Sequence, residues 1–227
     1  MARLHIYDDD GQAEVIRVRS TPLVIGRMDC DVTIPHDTMM SSRHAEITLQ
    51  QKQDRWVWVI QDLKSMNGIF VKCRQPRSLP NGSELLIGSG RYQFRAPETT
   101  SPEMTSVTHG KLSKGTSPHR PVSPNKEKPR LVAIDQEGRE TDYRIGTDPA
   151  TIGSDKLCDI VLEDSLVSGR HVQIFTKEPN AWWMKDLNSR NGVLMRVQVI
   201  HCVTNSMFQL GGQRFLLEVV TCSDIRS

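Results

Sequence analysis

Apolar and polar side chains alternate over short stretches along most of the first hundred residues: Leu4-x-Ile6, Val15-x-x-Val18, Ala45-x-Ile47-x-Leu49, Trp56-Val-Trp-Val-Ile60, Ile69-x-Val71, Leu85-Leu-Ile87 and Tyr92-x-Phe94. Most of these stretches are rich in β-branched or aromatic residues, and Gly, Asn, Asp and Pro stand between them. That is the pattern of half-buried strands joined by turns. No window carries a 3.6-residue apolar stripe for more than two turns, so helices are not expected. Many short strands within roughly 95 residues point to a β-sandwich.

The pattern then recurs in Val172-x-Ile174, Ala181-Trp-Trp-Met184, Val197-x-Val199 and Phe215-Leu-Leu-x-Val219. The loops recur as well. Ile25-Gly26-Arg27 answers Ile152-Gly153-Ser154, Cys30-Asp-Val-Thr-Ile34 answers Cys158-Asp-Ile-Val-Leu162, and Ser41-Ser-Arg-His44 answers Ser168-Gly-Arg-His171. Asp62-Leu-Lys-Ser65-Met66-Asn67-Gly68 answers Asp186-Leu-Asn-Ser-Arg190-Asn191-Gly192, and Asn81 answers Asn205. An internal repeat of this kind implies two copies of one fold. Residues 97–129 are a Ser/Thr/Pro/Lys mixture with no Phe, Trp or Tyr. Such a segment buries too little apolar surface to offset its ordering entropy and reads as a flexible linker. The expected organisation is therefore one domain over 1–96, a linker over 97–129, a second domain over 130–222 and a tail over 223–227.

Length fits this division: 227 residues suit two small cores. No apolar run approaches the roughly 20 residues of a membrane helix. The N-terminus lacks the features of a signal or transit peptide, so a cytoplasmic location is expected, or a nuclear one in a eukaryote. Five cysteines, Cys30, Cys73, Cys158, Cys202 and Cys222, form no Cys-x-x-Cys pair and no zinc spacing, so reduced thiols and no metal are expected. Residues 1–96 carry 13 Lys/Arg against 11 Asp/Glu, 97–130 carry 6 against 3, and 131–227 carry 10 against 13. A field this small is weak support for nucleic-acid binding.

Gly26-Arg27, Ser41-x-x-His44 and Asp62-Leu-x-Ser65-x-Asn67-Gly68, in this order and met twice, resemble the forkhead-associated (FHA) domain. The resemblance covers roughly 1–96 and 130–222. It implies an all-β protein of two sandwiches, about eleven strands each in two sheets, whose end loops bind phosphothreonine peptides. A phosphate carries roughly −1.5 to −2 charge and several acceptor oxygens, and the planar guanidinium of Arg27 suits it. By similarity Ser41 would donate its hydroxyl to the phosphate, Ser42 and Arg43 would add contacts, and Asn67 would hold the peptide main chain. Met66 would shape the pocket for the threonine methyl group. Gly26, His44, Asp62, Ser65 and Gly68 are expected to brace the loops, since Asn-Gly is a turn signal and Asp and Ser bond local backbone.

The second copy keeps Ser168, His171 and Asn191 but has Ser154 where the first has Arg27. It therefore reads as a degenerate site serving phosphate-independent association, with Arg190 or Lys156 as alternative sources of positive charge. The whole chain then reads as an adaptor in Ser/Thr kinase signalling. Its partners would be threonine-phosphorylated proteins, a kinase and its own linker, which holds Thr99, Thr100, Thr105, Thr108, Thr116 and three Ser-Pro pairs. No cofactor is called for, and oligomers are compatible with this reading. Catalysis is not expected, since there is no Gly-x-Ser-x-Gly elbow and no phosphate-binding loop of the Gly-Lys-Ser/Thr kind. The alternative is a tandem-sandwich scaffold or oligomerisation protein without phosphate dependence, with weak nucleic-acid contact through the basic linker.

Overall fold

The computed structural model describes residues 1–8, 11–97, 128–135 and 138–220. The first repeat forms β1 (Ala2–Tyr7), β2 (Ala13–Val18), β3 (Leu23–Gly26), β4 (Val32–Thr33), β5 (Ala45–Lys52), β6 (Arg55–Asp62), β7 (Ile69–Lys72), β8 (Arg77–Ser78), β9 (Glu84–Ile87) and β10 (Gly90–Arg95). The second forms β11 (Arg130–Ile134), β12 (Glu140–Arg144), β13 (Ala150–Gly153), β14 (Ile160–Val161), β15 (Val172–Glu178), β16 (Ala181–Asp186), β17 (Val193–Val197), β18 (Val199–Cys202), β19 (Ser206–Leu210) and β20 (Gln213–Val219). The chain is all-β across the described residues. Alternation does what the sequence pattern requires of it: in β1, Ala2, Leu4 and Ile6 are buried while Arg3 is exposed.

One sheet has ten strands in the order β12-β11-β10-β9-β17-β7-β19-β20-β1-β2. Its middle is an antiparallel seam in which Ile69 of β7 faces Val197 of β17 and Lys72 faces Leu194. Two five-stranded sheets, β18-β6-β5-β3-β4 and β14-β13-β15-β16-β8, complete two sandwiches of ten strands each.

The sandwiches exchange strands. In the first core, Leu4, Ile25, Ile47, Ile60 and Ile69 pack with Phe208, Phe215 and Leu217 of the second repeat. In the second, Ile152, Val172, Ile174 and Val193 pack with Leu85, Ile87 and Phe94 of the first. The edge strands cross in the same sense, β18 pairing with β6 and β8 with β16. The sequence repeats are thus not the packed units: residues 2–72 pack with 199–219, and 130–197 with 77–95.

Two local features refine the strand reading. Val197-Gln198-Val199 is not one strand, because β17 ends and β18 begins there as the chain passes from one sheet to another. Of the first tryptophan pair, Trp58 is buried in the core and Trp56 is 65% exposed, near the β5–β6 hairpin end. Trp182 packs on Phe94 across the exchange, with ring centroids 5.8 Å apart. Cys73 and Cys202 are buried and Cys30 and Cys158 half-buried, all four as free thiols; burial pushes the Cys73 thiol up to about 11. Cys222 and the linker threonines lie outside the described residues. Among the described residues no helix is long and apolar enough to cross a membrane, and no cluster of His, Cys, Asp and Glu could hold a metal ion.

Exchange makes the halves interlocked. If a protease site is placed between Gly110 and Lys111 and cut, the fragments should co-elute at the mass of the whole chain in native buffer. They should separate only at denaturant concentrations that unfold the sandwiches. Separate elution in native buffer would contradict the exchange.

Candidate functional site

Three loops gather at one end of the first sandwich: 27–31 after β3, 34–44 before β5 and 63–68 before β7. Gly26 permits the first two to touch, because a Cβ there would lie 2.1 Å from the Ser42 carbonyl oxygen. The approach lets the Arg27 amide donate to the Ser41 carbonyl at 3.0 Å and the Met28 amide to that of Ser42 at 3.3 Å. The Cys30 thiol also donates to the Ser42 carbonyl, at 3.1 Å. Side chains of Ser42 and Arg43 are exposed.

His44 is fully buried and ties the second loop to the third. Its Nδ1 accepts from the Ser41 amide at 3.2 Å, so the proton sits on Nε2, which donates to the Gly68 carbonyl at 3.0 Å. The third loop closes on itself: the Ser65 hydroxyl donates to Asp62 Oδ1 at 2.5 Å and accepts from the Gly68 amide at 2.9 Å. Gly68 has φ of +77°, and a Cβ there would lie 2.1 Å from Nε of Arg196. Glycine is required on both counts.

On this framework the outward groups are only partly used. Ser41 Oγ accepts from the Met66 amide at 3.0 Å, which fixes the oxygen and leaves its own proton to donate elsewhere. The half-buried Arg27 guanidinium makes no hydrogen bond or ion pair among the described residues. Asn67 donates from Nδ2 to the Met39 carbonyl at 2.7 Å and accepts at Oδ1 from Arg91 at 3.0 Å, which leaves one N–H and one lone pair. The Met66 side chain is 83% exposed. Behind Asn67, Arg91 and Arg196 both bond Glu84. Burial works to raise the Glu84 carboxyl, but the two guanidiniums outweigh it and hold it below its ordinary value.

The second site repeats the framework. Ser154 and Asp155 amides donate to the Ser168 and Gly169 carbonyls, Ser168 donates to His171 Nδ1 at 3.0 Å, and His171 Nε2 reaches the Gly192 carbonyl at 3.3 Å. The Arg190 amide donates to Ser168 Oγ at 3.0 Å and Asn191 Nδ2 to the Leu166 carbonyl at 2.9 Å. The difference is at Ser154, whose hydroxyl is spent on the Val167 carbonyl at 3.0 Å. The side chains of Arg190 and Lys156 are exposed.

The sequence model of the FHA domain matches residues 23–88 and 150–211, more than half of the chain and both loop sets. The chain belongs to the FHA-domain family. Among solved structures, the FHA domain of the CT664 protein from Chlamydia trachomatis is 25% identical over 40% of this chain and 94% of its own, with a TM-score of 0.24. FHA-1 of Mycobacterium tuberculosis Rv1747 is 24% identical over 41% of this chain and 99% of its own, with a TM-score of 0.21. An FHA domain from a structural and functional analysis of phosphothreonine-dependent FHA domain interactions is 24% identical over 38% and 91%, also at 0.21. No curated protein sequence matches the chain.

Several residues of this FHA site do not stand out in the sequence. Asp37 spans its own loop and the exchanged hairpin, accepting from the Met39 amide at 2.9 Å and from the Gly212 amide at 2.9 Å. Asp164 does the same with Leu166 and with Ser89, whose amide lies 2.7 Å away. The repeat itself signals this pair, since Asp37 and Asp164 stand as far apart in sequence as Gly26 and Gly153. Glu84, Arg91 and Arg196 carry no motif and reach the site through the strand exchange.

His44 gives a pH signature. Burial lowers its imidazole below the ordinary 6.5, outweighing the Gly68 carbonyl and the Asp62 charge that would raise it. The folded form thus takes a proton less readily than the unfolded chain. This contribution to stability is full above about 6.5 and is lost as pH falls through the lower folded value. An NMR titration of the His44 ring should give a midpoint below 6.5, and a midpoint at or above it would contradict the buried bracing role.

Proposed function

We propose that this FHA protein is a phosphothreonine-peptide-binding adaptor in Ser/Thr kinase signalling, with the first site reading the phosphate and the second engaged in phosphate-independent association. The observation that carries the reading is the unspent donor pair of the first site. The Arg27 guanidinium has no partner among the described residues, and the Ser41 hydroxyl is held by the Met66 amide with its proton free. The backbone bond between residues 27 and 41 keeps these donors together. The Ser41 hydroxyl is already held in place, and a guanidinium can grip phosphate through two parallel bonds.

Asn67, with one N–H and one lone pair left, holds the peptide main chain. Met66 closes on the threonine methyl group, while Ser42 and Arg43 add outer contacts. Gly26, His44, Asp62, Ser65 and Gly68 act through the loops they brace. In the second site the Ser154 hydroxyl is already committed to Val167, and position 154 supplies no guanidinium. Threonine-phosphorylated proteins are the partners, and the linker threonines make the chain itself a candidate ligand.

Hydrogen bonds to a charged group are worth roughly 1.5–3 kcal/mol each, so the net loss of even one of the two bonds of a bidentate arginine weakens binding by about one to two orders of magnitude. Calorimetry with a phosphothreonine peptide library should show Arg27→Ala of the whole chain falling by that factor. Unphosphorylated and phosphoserine libraries serve as controls, and Ser154→Arg should add a second phosphate-dependent site. Arg27→Ala binding within threefold of the parent would overturn the assignment. Phosphate-independent binding throughout would favour the scaffold reading.

A further inference from the structure

The outer face of the ten-stranded sheet is not uniformly polar. A groove of about 750 Å³ lies across it, beginning at Met39 and Asn67 of the first site and ending near the Ser89–Gly90 turn. Its floor is apolar and comes from adjacent strands of both repeats: Phe70 on β7, Leu194 on β17 and Leu86 on β9. Phe70 is buried yet belongs to neither core, and the Arg91 guanidinium stands 5.9 Å over its ring. Leu86 and Leu194 are half-buried. The same Arg91 donates to Asn67 Oδ1, so the groove and the peptide-holding asparagine share a side chain. Gly211 and Gly212 of the second repeat form another part of the wall, fixed on Asp37.

Charge along the groove is largely settled internally. Glu84 is matched by Arg91 and Arg196, which leaves the Asn67 end with a small positive excess, and Asp135, further along the groove, is paired with Arg139 beside an apolar floor. An extended chain held at Asn67 therefore meets positive charge first and an apolar floor next. Phe70 stands three residues past Asn67 and Leu194 faces Lys72, five past it, so in an extended peptide rising roughly 3.3 Å per residue they meet positions about three to five residues from the one that Asn67 holds.

We infer that the bound phosphopeptide runs from Asn67 into this groove and places an apolar side chain on Phe70, Leu86 and Leu194, so that the second repeat takes part in what the first site selects. The inference rests on the reading of the first site as a phosphothreonine site. The occupant is the flanking segment of the same peptide because Met39 and Asn67 line both places, and strand exchange alone brings Leu194 there.

The test is a phosphothreonine peptide set in which each of the five positions on either side is Leu or Asp in turn, measured against the whole chain. One position three to five residues from the phosphothreonine should prefer Leu by about tenfold. Leu194→Gln and, separately, Leu86→Gln should reduce that preference to under threefold and leave the phosphate dependence unchanged, with thermal melts checking that each variant is folded. Phosphate-dependent binding with no positional preference, or a preference both variants retain, would overturn the groove and leave the first-site reading standing. Absence of phosphate-dependent binding in the parent chain would overturn both. Filling of the groove by a second copy of the chain, seen as dimerisation that either variant abolishes without a change in peptide preference, would also overturn it.

Discussion

The antiparallel pairing of β7 with β17 is the constraint on which the rest of the molecule depends. It joins two sheets into one and forces the chain, on leaving β7, to finish the other repeat's sandwich. It also sets the loops. Gly68 immediately precedes β7 and lies under Arg196 of β17, while Gly192 immediately precedes β17 and lies under Lys72 of β7. Each of these two loops thus has a cation of the opposite repeat packed over its glycine. The two loops open at opposite ends of the seam, so one short peptide does not span both.

The strands and loops were legible in the sequence, and the reason is local. Alternation in stretches such as Leu4-x-Ile6 or Tyr92-x-Phe94 fixes which face is buried, and the paired Gly, Ser, His and Asn positions recur with enough regularity to mark two loop sets. What alternation does not fix is the neighbour. The hairpin with Leu85, Ile87, Tyr92 and Phe94 and the hairpin with Phe208, Leu210, Phe215 and Leu217 present the same kind of apolar face, so either fits either core. The exchange is therefore invisible to a residue-by-residue reading. Val197-Gln198-Val199 shows the same limit, since a bend between sheets can keep the alternation of a strand.

The candidate site divides along the same line. The gathering of Arg27, Ser41, His44 and Asn67 on neighbouring loops was legible because it follows from motif position. Arg91, Glu84 and Arg196 were not, because nothing in an Arg or Glu on a strand says that it will meet a loop over 20 residues away in sequence, or over 100. They matter for the loop: Arg91 occupies one face of Asn67, and Arg196 supports the turn at Gly68. The second site keeps the same bracing by His171, Ser189 and Gly192, which explains how a loop can hold its shape after losing the cation at position 154. The histidine and serine bracing recurs in both repeats, while the outward side chain at 27 and 154 and the arginine beside Asn67 do not.

The most direct measurement is an amide NMR titration of the whole chain with a phosphothreonine peptide. The expected result is a set of shifts at Arg27, Ser41–Arg43 and Met66–Asn67, with the amides of 154–156, 168–170 and 190–191 unmoved. Shifts confined to the second loop set, or none in either, would contradict the assignment of phosphate recognition to the first.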